Sequence, residues 1–285
     1  MSLNHRKYLR ILVAATLWTI AIGIALIVGF PAVCQAANCP VAAVSGTQPA
    51  VADLVDLFNR AGTDRLGSES PSLPKIYSGY PTAKLVSPYV PCLLLKAIGY
   101  TESTGWKQFD AAYGSQGTTV ISSDCGYGIM QITSGMSGGA GFDPDRVAAE
   151  ADYNIATGAL VLIQKWNGLS VYIGNNNPHV VEDWYYAIWS YNGWGWGNNP
   201  NNGLFLAGRS EWKCGQDSSQ SRKDWPYQEL IWGCTSNSPG AQFWTSIPLS
   251  LPDKADLYPS VPTHIDTPLP AHGSCSVIYL PFVGY

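Results

Sequence analysis

Ser87-Pro88-Tyr89-Val90-Pro91-Cys92-Leu93-Leu94-Leu95-Lys96-Ala97-Ile98-Gly99-Tyr100-Thr101-Glu102-Ser103 is the stretch on which the reading of this chain turns. Ser87 is a good helix N-cap and Pro88 suits the first helical position. Val90, Leu93, Leu94, Ala97 and Ile98 follow at helical spacing, which predicts a helix buried on one face. The apolar run gives out near Thr101–Gly105, so the helix is expected to end there. Glu102 is thereby delivered to a helix C-terminus, the negative end of the macrodipole. Trp106 and Phe109 follow closely, and apolar rings add to the cost of a charge. A carboxyl kept neutral in this way has the protonation state that a general acid needs to protonate a glycosidic oxygen.

The segments on either side extend the helical pattern. Before this stretch, a short helix is expected around Val51–Arg60, and Gly and Pro then make the chain to Pro81 mostly loop. After it, residues 106–142 are rich in Gly, Ser and Thr and read as loop with a small hairpin. Asp143-Pro144 starts a second helical region, with Ile155, Ala159, Leu162, Ile163 and Trp166 at helical spacing and Asn167-Gly168 as its stop. A third helix is expected over about Val180–Tyr191, stopped by Asn192-Gly193, and a fourth at about Pro226–Trp232. Eight prolines in the last 50 residues exclude long helices there. Cys275 and the apolar stretch Val277–Val283 suggest that this tail packs back onto the domain.

These readings predict a mainly α fold of the α+β kind. A helical core domain would carry a small hairpin or loop region beside a cleft, followed by a Pro-rich C-terminal extension. The expected organisation is a signal peptide at 1–36, an N-terminal extension at 37–84, the core domain at 85–235 and the extension at 236–285. The leader has Arg6, Lys7 and Arg10 with no acid, an apolar run from Ile11 to Phe30, and small residues at a cleavage site ending in Ala36. An uncleaved membrane anchor is the alternative, because twenty apolar residues also suffice to span a bilayer. Either way the remainder is expected to be secreted or extracytoplasmic, with membrane contact only through an uncleaved leader.

Composition narrows the function. The chain has 285 residues, 46% of them hydrophobic and only 13% charged, which excludes a disordered chain. Its 16 Lys+Arg against 20 Asp+Glu, with a pI near 5.5, lack the basic footprint of a nucleic-acid binder. Eleven Trp and 16 Tyr against 7 Phe favour rings that carry both an apolar face and a polar handle. Such rings suit a groove for sugars, although they also fill cores. Beyond Cys34, six cysteines remain: Cys39, Cys92, Cys125, Cys214, Cys234 and Cys275. An even number in an exported chain predicts up to three disulfides, in any of 15 pairings. Cys214 and Cys234 are nearest in sequence and would staple one loop. No CxxC occurs and the four His do not cluster with the cysteines, so neither metal nor cofactor is expected.

Four short segments, in order, carry a family likeness. They are Tyr100-Thr101-Glu102-Ser103, Gly128-Ile129-Met130-Gln131-Ile132, Asn154-Ile155-Ala156-Thr157-Gly158 and Ser190-Tyr191-Asn192-Gly193. Together they resemble the lysozyme-like lytic transglycosylases of the soluble-lytic-transglycosylase type and, more distantly, the goose-type lysozymes. The likeness covers roughly residues 85–235. It implies that Glu102 is the sole essential acid/base and that Ser103 orients the bound sugar. It also implies that Gly128 and the Met130-Gln131 pair form the turn lining the cleft, that the Asn154 helix braces the cleft from behind, and that Tyr191 and Asn192 face the acid. Trp106 is expected to be a site aromatic because it lies four residues from Glu102. Ile129, Ile132 and Ile155 read as core, and Gly128 and Gly158 as demands of backbone geometry and packing.

Two departures matter. Glu102 and Gln131 are 29 positions apart, closer to the goose-type spacing. Ser190 and Gly193 stand where the family has alanines, and Trp194-Gly195-Trp196-Gly197 follows, either extending a sugar groove or capping the domain. Ordinary glycosidases use two carboxylates, and the candidates for a second are Asp110 and Asp124. Asp124 occupies a loop where goose-type lysozymes place an Asp. The resemblance implies cleavage of the β-1,4 bond between N-acetylmuramic acid and N-acetylglucosamine, ending in a 1,6-anhydro ring. Hydrolysis, a chitin-directed glycosidase and a non-catalytic glycan-binding module are the alternatives. The expected partner is a peptidoglycan glycan strand, bound by a monomer. Without the leader the net charge would be -7, which predicts recognition by stacking and hydrogen bonds rather than by long-range attraction.

Overall fold

The structure is a computed structural model, and it describes residues 39–67, 70–258 and 260–268. The leader, Cys275 and Val277–Val283 lie outside the described residues. The described chain is mostly helical, with short strands between the helices. Helix α1 spans Val51–Ala61, α2 Cys92–Ser103, α3 Pro144–Ala149, α4 Ala151–Asn167, α5 Tyr185–Asn192 and α6 Tyr227–Ser236.

Helix α2 starts four residues later than Ser87 predicts. The second proline is the reason. Pro91 disfavours helical backbone at Val90 and itself serves as N-cap, with ψ of 118°. The helix is also buried on more than one face: Leu93, Leu94, Leu95, Ala97, Ile98 and even Lys96 are all buried. It is the central helix, with α1, α4 and α6 packed around it. Burial of each of those leucines is worth roughly 1.5–3 kcal/mol, so α2 is fixed by its neighbours rather than by its caps.

The second helical region breaks in two. Asp143 caps α3 by accepting from the backbone N–H groups of Asp145 and Arg146, as its sequence predicts. Glu150 then turns extended, with φ of -125° and ψ of 121°, and α4 begins anew. Helix α4 ends at Asn167 with Gly168 as its cap. The third helix is likewise shorter than its periodicity suggests, because Glu182–Trp184 form a 3-10 turn ahead of α5. Helix α6 runs to Ser236, four residues past its expected end.

The loop at 106–142 carries local antiparallel bridges, Phe109 with Thr119 and Tyr127 with both Ile121 and Ile132, as the expected small hairpin requires, and it also forms a strand with a distant partner. Strand β1 (Ser45–Thr47) pairs antiparallel with β4 (Gln116–Thr118). Strands β2 (Ile76–Ser78) and β3 (Lys84–Val86) pair antiparallel, and β5 (Tyr172–Ile173) pairs parallel with β6 (His264–Ile265). Cys39–Cys125 ties the first described residue to the same loop, and Cys214–Cys234 is the staple expected from proximity. Cys92 is disulfide-bonded as well. Leu54 and Phe58 from α1 and Phe243, Trp244, Leu257 and Ile265 from the Pro-rich segment enter the same hydrophobic core as α2 and α4. Trp106, Trp184, Trp189 and Trp232 are fully buried. Much of the tryptophan surplus therefore fills the interior, and Trp194 and Trp196 are its exposed members.

Candidate active site

Glu102 lies in the last turn of α2, next to Ser103 and the left-handed cap at Thr104. A cleft of about 460 Å³ opens beside it. Asp124 and Gln131 reach the cleft from the 106–142 loop, Tyr191 and Asn192 from the end of α5, and Lys165 from the last turn of α4. Tyr227, the first residue of α6, donates its hydroxyl to Glu102 Oε1 at 2.5 Å.

Burial is the main influence on the Glu102 carboxyl and pushes it above the usual carboxylate range. The Tyr227 hydrogen bond and the charge of Arg222 pull the other way, and the charge of Asp124 adds to the rise. Tyr227 and Tyr191 are themselves pushed well up, first by burial and then by the charge of Glu102, so both remain neutral phenols. Their rings lie parallel, with centroids 6.5 Å apart. With Oε1 engaged by Tyr227, the proton of a neutral Glu102 belongs on Oε2.

The turn that carries Gln131 is held from behind by buried amides. Asn154 on α4 accepts from the Met130 N–H at 2.8 Å and donates to the carbonyls of Tyr127 and Val147. Gln108 donates to Val147 O and Ala148 O, and Gln48 accepts from the N–H groups of Gln108 and Phe109. Tyr191 closes the assembly by donating to Met130 O at 2.8 Å. Gly128 has φ of +62°, and a Cβ there would collide with the amides of Gln108 and Asn154. These glycine and asparagine positions are thus explained by backbone geometry. Gln131 donates to Gly128 O at 2.7 Å, which closes the turn and sets the side chain at the cleft wall.

Five of the sequence-derived residues therefore meet in one cleft: Glu102, Asp124, Gln131, Tyr191 and Asn192. Three do not. Ser103 is buried, donating to Gly99 O and accepting from the Lys107 N–H, so it fastens the helix end rather than facing a sugar. Trp106 is fully buried. Positive φ at Thr104, Gly105 and Trp106 turns the chain inward, and the indole packs against Phe58, Phe243 and Trp244. Met130 is also fully buried and fills the gap left by Gly158, where a Cβ would meet its side chain. Asp110 is exposed beside β4, its N–H bonded to Thr118 O, and is not a cleft residue.

No family model, curated protein or solved structure matches this chain.

Tyr227 and Lys165 escape the sequence reading. Tyr227 is 125 positions from its partner, and only its place after Pro226 at a helix start marks it. Lys165 reads as an ordinary cation in the last turn of a helix. Asp124 is exposed and accepts a hydrogen bond from Ser122 Oγ at 2.5 Å, so the cleft holds a second carboxylate in addition to Glu102. Among the described residues no cluster of His, Cys, Asp and Glu has the makings of a metal site.

Proposed function

We propose that this chain is an extracytoplasmic glycosidase of the lysozyme-like kind that cleaves the β-1,4 bond between N-acetylmuramic acid and N-acetylglucosamine. The observation that carries the reading is Glu102: a carboxyl at a helix C-terminus, raised toward its neutral form by burial and open to a polar cleft. Two disulfides among the described residues are compatible with an oxidising, extracellular setting.

In the proposed reaction Glu102 gives its Oε2 proton to the glycosidic oxygen as the bond from that oxygen to the anomeric carbon breaks. The acetamido group of the sugar stabilises the resulting cation. The 6-hydroxyl of the same sugar then attacks the anomeric carbon and returns its proton to the Glu102 carboxylate, closing a 1,6-anhydro ring. Tyr227 holds Oε1 and orients the acid, while Gln131, Tyr191 and Asn192 line the path of the strand. Asp124 in the same cleft favours a second reading, in which it activates water and the products carry reducing ends. Mass spectrometry of the muropeptides released from purified cell walls distinguishes the two: anhydro ends support transglycosylation, and reducing ends support hydrolysis. A wall digest with no released product would contradict both.

A further inference from the structure

The Trp194-Gly195-Trp196-Gly197 run directly follows the cleft residues Asn192 and Gly193 and opens onto a second hollow, of about 320 Å³. Val171, Trp189, Trp194, Trp196 and Asn199 form most of its wall. Trp194 and Trp196 are 44% and 50% exposed, yet neither ring hangs free. Trp194 packs on Trp189 at 4.8 Å and edge-on to Tyr186 at 5.6 Å, and Trp196 faces Tyr258 at 6.4 Å. The loop between them is pinned by asparagines. Asn198 donates to Gly193 O at 3.1 Å, and Asn202 donates to Trp196 O at 2.9 Å. Inside the hollow, Trp189 is 1% exposed and its indole N–H has no hydrogen-bond partner among the described residues.

We infer that this hollow is an accessory subsite for an uncharged N-acetylated sugar of the same glycan strand. Its wall carries no charged side chain, so an ionic ligand has no counterpart there. A lipid would find the rings separated by Gly195 and edged by Asn199 and Ser260 instead of joined in one apolar sheet. A pyranose fits both halves of that chemistry, with C–H faces for the two rings and hydroxyls for the polar edge. The Trp189 indole N–H is buried without an acceptor, which is costly, and a ligand that shifts this ring gains most when it carries a carbonyl, as an acetamido sugar does. The two hollows meet along one segment of chain: Asn192 and Gly193 line the cleft, and Trp194, Gly195 and Trp196 line the second hollow; the inferred strand runs from Glu102 along that segment. The inference rests on the glycan reading of the cleft and adds a second point of attachment to it.

The test uses the full chain carrying Glu102→Gln, so that a bound strand is not cut. Binding of N-acetylglucosamine oligosaccharides of two to eight sugars, and of a soluble uncross-linked glycan strand, is measured by calorimetry with and without Trp194→Ala and Trp196→Ala. One ring–sugar contact corresponds to roughly 3–10-fold in affinity. Each single variant is therefore expected to lose about that factor on the longest ligands, and the double variant about the product. The gain in affinity with chain length should shrink with it. Because the wall is uncharged, the loss should be the same in low and high salt. Near-UV dichroism and Tm verify that the variants fold, and Trp194→Phe should recover part of the loss. Equal affinity of parent and double variant for the longest ligand overturns the subsite, as does failure of any oligosaccharide or strand to bind. Self-association of the parent that disappears in the double variant also overturns it, marking a face between copies instead. The catalytic reading fails separately, if the Glu102→Gln chain cuts walls as fast as the parent.

Discussion

Glu102 carries the central chemical claim, and its burial has consequences beyond catalysis. Its carboxyl is held above the ordinary value of 4.5 in the folded chain. The folded state therefore binds a proton more tightly than the unfolded one, and ionising Glu102 costs stability as pH rises above that ordinary value. Glu102→Gln should raise Tm at neutral pH and leave it unchanged near pH 4, measured by thermal melts across that range. Tyr227→Phe removes a hydrogen bond that favours the charged form, so the folded carboxyl should rise further. Activity that depends on the neutral acid should then persist to higher pH, seen as an upward shift of the alkaline limb of kcat/KM. Lys96 is the opposite case: buried on α2, with its Nζ donating to Asn59 Oδ1, it is pushed by desolvation from 10.5 down to about 8. The charged form is costly below about pH 8. Lys96→Met is expected to stabilise the chain by roughly 2–3 kcal/mol at pH 7, a gain that fades as pH rises through 8 to 10.5. Urea melts at pH 7 and pH 10 check both parts.

The helices of the core were legible because their apolar residues recur at helical spacing, and Glu102 was legible because it stands where that spacing stops. The ends were less so. Pro91 moved the start of α2, and Glu150 split a region whose start signal, Asp143-Pro144, lies in one half and whose periodic residues, Ile155 to Trp166, lie in the other. Trp106 and Ser103 were misplaced by proximity in sequence. Three left-handed residues reverse the direction of the chain within a turn, and a serine hydroxyl bonds four residues back. No one-dimensional spacing reveals either. The β1–β4 pairing joins two three-residue strands of Gly, Ser, Thr and Gln far apart in the chain, too short to leave an alternating pattern. Tyr227 was hidden for the same reason, since the packing of α6 on α2 decides its partner. Asn154 shows the reverse. Its motif was noticed by resemblance, and its three hydrogen bonds explain why an amide is required there. Asn154→Leu strands the Met130 N–H and two carbonyls in the core, and should cost roughly 2–4 kcal/mol. It should also lower kcat by loosening the Gln131 turn. Denaturant melts and a kcat measurement under fully folded conditions separate the two effects.

Two disulfides between described cysteines and one core hold the cleft. Cys39–Cys125 anchors the loop that carries Asp124 and Gln131, closing a long span of chain, and Cys214–Cys234 closes a short one. By loop-closure entropy the short tie is worth about 3 kcal/mol, and a Cys214→Ser, Cys234→Ser pair should lose about that much in a reducing-agent-free melt. A buried Arg209–Glu229 ion pair fixes α6 to the Trp194–Trp212 side of the chain, so the acid's partner Tyr227 rests on a firm support. The composition that suggested a sugar groove is thereby divided: most tryptophans are structure, and the exposed pair lies next to the cleft. Everything then depends on whether Glu102 is the acid that breaks the glycan. The direct measurement is the rate of muropeptide release from purified cell walls by the parent chain and by Glu102→Gln under identical conditions. The account predicts release by the parent and a loss of at least about 100-fold in the variant, with Tm equal or higher. Release by Glu102→Gln at the parental rate would contradict it.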